Sequence, residues 1–139
     1  MELVTEEFDP ELGPNDVLVR NVWLAMDATV RSWLDEGEGY LPAVEIGAEV
    51  RCSSMGRVVA SNSDRFKVGE WHAGLAGWQD YAVVDGSIDL INNPHRPDLE
   101  ALRHISLYAS AGPTAYFGLT EAGRITEGDT VLVLSLIHI

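Results

Sequence analysis

The strongest constraint on this chain is a series of short apolar segments, most of them punctuated by glycine. DVLVRNVWLAMD (16–27) follows the turn signal Gly13-Pro14-Asn15. Within it Val17, Val19, Asn21 and Trp23 alternate with Leu18, Arg20, Val22 and Leu24. This β-branched run predicts a long strand, apolar on most of both faces and well buried. SMGRVVASN (54–62) predicts a second strand, with Gly56 marking a close backbone approach. FKVGEWHAG (66–74) turns at Val68-Gly69-Glu70 into a short strand, and WQDYAVVDG (78–86) is a strand closed by the tight-turn pair Asp85-Gly86. Between the first two strands, ATVRSWL (28–34) reads as a helical turn and DEGEGYLPAVEIG (35–47) as a loop. Short strands at this spacing indicate a β-barrel or sandwich.

The pattern then changes. DLEALRHISL (98–107) carries helix formers with apolar Leu99, Leu102, Ile105 and Leu107. GPTAYFGLTEAG (112–123) has a proline near its start and a glycine past its end, the asymmetry of a helix. Asp129-Thr130 then leads into VLVL (131–134), which predicts a buried strand of parallel type. Such a strand needs neighbours and cover, so a second domain is expected beside it.

The chain has 139 residues, 46% hydrophobic, enough for one domain with a real core. Its 22 acids against 9 bases give a net charge of −13, which argues against nucleic acid and against an anionic membrane surface. Glu2, Glu6, Glu7, Asp9, Glu11 and Asp16 face only Arg20 in the first twenty residues, and read as a solvated edge. Cys52 is the only cysteine, so no intrachain disulfide can form. No apolar run reaches membrane-spanning length, and acids precede the first apolar residues where a secretory signal would be basic. A cytoplasmic location is the default expectation.

Chemistry-bearing motifs are sparse. His72, His95, His104 and His138 share no metal-ligand spacing, so no metal site is expected and each histidine is read as a surface or capped residue. Ser53, Ser54 and Ser110 lack a nucleophile-elbow context. Asp27 and Arg31, four apart, read as a structural ion pair. No glycine-rich phosphate cradle follows the last strand.

Four stretches, taken in order, narrow the reading. NVWLAMDATVRSWL, YLPAVEIGAEVRCSSMGRVVAS, GWQDYAVVDG and GPTAYFGLTEAGRITEGDTVLV together resemble the N-terminal part of the zinc-independent medium-chain dehydrogenase/reductase family, in its prostaglandin reductase and alkenal/one oxidoreductase branch. TAYFGL (114–119) is the most specific piece. Where zinc-binding relatives carry metal ligands, this chain has Met26-Asp27 and Ala48-Glu49.

The resemblance implies a mainly β fold with some α: a GroES-like, partly open β-barrel, then a helix and the first strand of a truncated Rossmann domain. Residues 1–110 would form the substrate-side domain, and residues 111–139 the linking helix and first strand of the NADP-binding domain. It implies hydride transfer from NADPH to the β-carbon of an α,β-unsaturated ketone or aldehyde. Tyr40, Gly74, Leu75 and Trp78 would line the substrate, and Ser110 and Thr114 would touch the nicotinamide. Each also has a bland reading: Trp78 packs the barrel, Thr114 serves the first turn of its helix, and Tyr40 anchors its loop. The partner would be a small enone, with a homodimer as the full-length assembly. Ser110-Ala111 stands where a methionine and proline are usual, and MDATVR replaces an aspartate-proline-tyrosine pattern; both bear on the substrate. Residues 134–139 depart from the family's small-residue run and residues 136–139 read as non-native, so the chain is expected to be the inactive front portion of a longer enzyme. A quinone reductase of the same superfamily and a non-catalytic binding barrel stand as alternatives.

Overall fold

The computed structural model describes residues 2–35, 41–88, 93–94, 100–108 and 111–134. Five strands form one antiparallel sheet in the order β4-β1-β2-β3-β5. They are β1 (Asp16–Leu24), β2 (Ser54–Ser61), β3 (Trp71–Gly74), β4 (Tyr81–Asp85) and the two-residue β5 (Asn93–Pro94). No ladder joins β4 to β5 among the described residues, so the sheet is an open one. Three helices accompany it: α1 (Thr29–Ser32), α2 (Ala101–Tyr108) and α3 (Ala111–Phe117). The predicted 112–123 helix is therefore two-part, its second half wound as a π-helix over Gly118–Ala122.

The centre of the sheet is the β1–β2 pair, and Gly56 explains how it closes. Gly56 faces Asn21 across the ladder. A Cβ placed there would lie 2.4 Å from the Arg20 carbonyl oxygen and 2.5 Å from Val19 Cγ1. Only a glycine lets the two backbones meet this closely. Val17, Val19 and Val58 then pack with Phe66, all at most 1% exposed, and Val84 of β4 lies against them.

Burial of β1 is narrower than the residue pattern predicts. Val17 and Val19 are fully buried, whereas Val22 is 49% and Leu24 41% exposed. The ladder shifts register between Leu18 and Val19, and again between Asn21 and Trp23. Each irregularity re-aims the strand, so one apolar face cannot remain inward along its whole length. Trp23, half-buried, sits beside Trp71 at 5.4 Å, and the Arg57 guanidinium lies 3.8 Å from the Trp71 ring centre.

Three further expectations are corrected. Residues 131–134 form no strand and are well exposed, with Leu132 at 79% and Val133 at 84%. An isolated extended segment has no ladder to join, and the described residues supply none. Arg31 pairs with Asp35 rather than Asp27. Asp27 instead accepts the Thr29 N–H at 2.7 Å, and hydrogen bonds from the Thr29 side chain and backbone hold its carboxyl below its ordinary pKa. His72 and His104 are buried, not on the surface: the His72 ring lies 5.2 Å from that of the core Phe66, and α2, which carries His104, packs onto β2 and β3.

Gly56→Ala is expected to cost at least about 3 kcal/mol, the upper range for overpacking a core, because backbone cannot yield as a side-chain tip can. Urea denaturation measures it; a loss below about 1 kcal/mol would show that the strands can separate cheaply.

Candidate functional site

The ladder aligns Leu24 with Ser54 and Ser54 with Gly74, forming one row across the end of β1, the start of β2 and the end of β3. Ala25 extends the pairing by donating its N–H to the Ser53 carbonyl at 2.8 Å. Two recesses open beside this row. The first is apolar, about 210 Å³, and lined by Trp23, Leu24 and Ala25 with Leu102 and Ile105 of α2. The second, about 200 Å³, is lined by Glu49, Arg51, Leu75, Ala76, Gly77, Gln79 and Ala82.

The loop after β3 forms one wall of the second recess and is tied down along its length. Gly77 takes φ +74°, a left-handed conformation suited to glycine. Next to it, the Trp78 N–H donates to the Val50 carbonyl at 2.9 Å. Asn21 Nδ2 donates to the Gln79 carbonyl at 2.8 Å, and Gln79 Nε2 donates to the Ala76 carbonyl at 2.8 Å. Across the recess, Arg51 is held by the Pro42 carbonyl at 2.9 Å and lies 5.6 Å over the Trp33 ring.

Of the residues singled out by resemblance, Gly74, Leu75 and Trp78 share this loop, and each is half-buried. The Trp78 indole Nε1 is closed off from water and has no hydrogen-bond partner among the described residues. Thr114 is exposed on α3, and α3 packs on α2 rather than forming a wall of either recess. Tyr40 and Ser110 lie outside the described residues.

Sequence reasoning passed over the apolar recess. The signal was present in Leu102 and Ile105, one helical turn apart on α2, but nothing in the sequence says that this face meets the end of β1. The recess contains no nucleophile and no acid–base pair. Cys52 is fully buried, and burial pushes its thiol up from 9.0 to about 11, so it is not a thiolate at neutral pH. Among the described residues no group of three His, Cys, Asp or Glu side chains is placed to hold a metal ion, and no helix is long and apolar enough to cross a membrane. The first recess can take an apolar group, and the second has the polar side chains of Glu49, Arg51 and Gln79 on its lining.

The chain is similar to known proteins. A family described as the N-terminal domain of oxidoreductase matches residues 1–90. The NADPH-dependent curcumin reductase of Escherichia coli is 33% identical over 123 residues, which are 87% of this chain and 34% of that protein. The NADP(+)-dependent 2-alkenal reductase of Nicotiana tabacum is 29% identical over 122 residues, 87% of this chain and 35% of the relative. The crystal structure of CurA from Vibrio vulnificus in complex with NADPH superimposes with a TM-score of 0.74 at 30% identity, covering 90% of this chain and 36% of CurA. The chain thus spans about a third of the length of the curated relatives it matches.

Because the native Cys52 thiol titrates at about 11 and the unfolded one near 9.0, the unfolded chain loses its proton first. Stability is therefore unaffected by this group below about pH 9 and falls as pH rises from there to about 11. Other groups titrate there too, so the test is the difference between wild type and Cys52→Ala in urea midpoints across that range. A constant difference would mean that the thiol ionises as readily in the folded protein as in the unfolded one.

Proposed function

The chain belongs to the medium-chain dehydrogenase/reductase family, and from that premise we propose that it is the substrate-side part of an NADPH-dependent enzyme reducing the C=C bond of α,β-unsaturated ketones and aldehydes. The observation that carries the reading is the apolar recess at the Leu24–Ser54–Gly74 row, in a fold shared with relatives named as NADPH-dependent reductases. A recess with no reactive side chain suits a reaction whose chemistry comes from a cofactor and whose protein supplies position.

A carbonyl conjugated to C=C makes the β-carbon electrophilic. When bound, NADPH supplies the hydride. Reduction of the β-carbon places the electron pair on the carbonyl oxygen, and the resulting enolate takes a proton at its α-carbon. The chain's own task is to hold the enone flat against Trp23, Leu24 and Ala25, and to aim hydrogen-bond donors at the oxygen where charge develops. By the resemblance, Tyr40, Gly74, Leu75 and Trp78 would line the substrate, and Leu75 borders the second recess; Thr114 and Ser110 would touch the nicotinamide. Substrate enters as a small molecule; the full-length enzyme is a cytoplasmic homodimer.

The described residues offer no glycine-rich turn and no basic cluster for a pyrophosphate or a 2′-phosphate. In this reading cofactor grip belongs to a Rossmann domain of which residues 111–139 would be the linking helix and first strand. The exposed apolar residues Val131 to Leu134 are what that domain's sheet would cover.

Two measurements test this reading. The 139-residue chain is expected to bind NADPH no tighter than the micromolar range by fluorescence titration, and submicromolar affinity would place the cofactor site within these residues. A protein extended through the cofactor domain is expected to consume NADPH with an enone and to leave a simple quinone largely untouched; the reverse preference would make it a quinone reductase.

A further inference from the structure

We propose that Ser54 is a positioning residue, a role that rests on the enone reductase reading: its hydroxyl sets where the Gly74–Trp78 loop stands over the substrate. Ser54 opens β2 and is 1% exposed. Its Oγ accepts the Ala76 N–H at 3.2 Å and lies 3.5 Å from the Gly74 carbonyl, to which it donates. Ala76 is 3% exposed, so water cannot replace the hydroxyl as acceptor. The later half of the loop has its own ties, at Trp78 to Val50 and at Gln79 to Asn21. The first half, which carries Leu75, leans on Ser54.

Place in the sheet makes the hydroxyl more than a local turn bond. Ser54 pairs with Leu24, which lines the apolar recess, and with Gly74, where the loop begins. It is thus the joint between the end of β1, which lines the first recess, and the loop, which lines the second. Losing the hydroxyl leaves the end of β1 in place and frees the loop bordering the second recess to drift. Substrate would then be held less well, while the reaction of a substrate already seated would change little.

The test has two arms. In the 139-residue chain, Ser54→Ala is expected to speed hydrogen exchange of the Ala76 amide by about tenfold or more, with the Trp78 amide unchanged. In the protein extended through its cofactor domain, Ser54→Ala is expected to raise KM for an enone about fivefold, with kcat within about twofold. Cys52→Ala, which empties an equally buried site two residues away, is the comparison: it should lower thermal stability and leave KM unchanged. An unaltered Ala76 exchange rate, or an active wild type whose KM ignores Ser54→Ala, overturns the proposal. If Cys52→Ala raises KM as much as Ser54→Ala does, the effect is general loosening and the proposal also fails. A wild type that reduces no enone overturns the functional reading, and the exchange arm alone then decides whether Ser54 holds the loop.

Discussion

The approach of Gly56 to the backbone of Arg20 is the contact on which this structure turns. β1 pairs with β2 on one side and β4 on the other, and β2 hands the sheet on to β3. Any separation of β1 from β2 would therefore be transmitted to every strand. At Gly56 there is no room for even one methyl group. The absence of a side chain there lets the ladder continue past two register shifts to the pairing of Leu24 with Ser54.

Packing and site both follow from that continuation. Before the second shift, Val17, Val19, Val58 and Phe66 form a small dry cluster. Beyond them, β1 no longer serves the core. Its last residues, with Ala25, become the wall of an apolar recess closed by α2. A strand that is core at one end and site at the other needs its register held at the changeover, and that is where Gly56 lies. The loop after β3 is fixed by hydrogen bonds rather than by apolar packing, with Asn21, Val50 and Ser54 as its anchors. Polar anchors of this kind specify position more sharply than a greasy contact does.

The strands and helices were largely legible in the residues. Alternation over 16–24, glycine at 56 and the turn before Trp71 each had a local cause, and each appears in the structure where the pattern placed it. The failures share a different character. The Asp27–Arg31 pair, the burial of Val22 and Leu24, the exposure of His72 and His104, and the strand at 131–134 all concern what an element meets, not what it is. Spacing along a helix allows Arg31 two acidic partners, and only the backbone path of α1 selects Asp35. For the site, the loop bearing Gly74, Leu75 and Trp78 was reached through resemblance, while the recess against α2 had no sequence signature.

The sequence by itself determined the local states: which segments extend and where glycine must stand. It also carried the family resemblance, because the stretches that bear it are continuous along the chain. Tertiary structure decided the rest: that Leu24, Ser54 and Gly74 form one row, that α2 roofs Trp23, and that the Ser54 hydroxyl reaches Ala76. The physical reason is range. Backbone preference acts over a few residues, whereas a recess joins residues 23 and 105, and a hydroxyl's partner 22 positions away is set by strand register that no local pattern encodes.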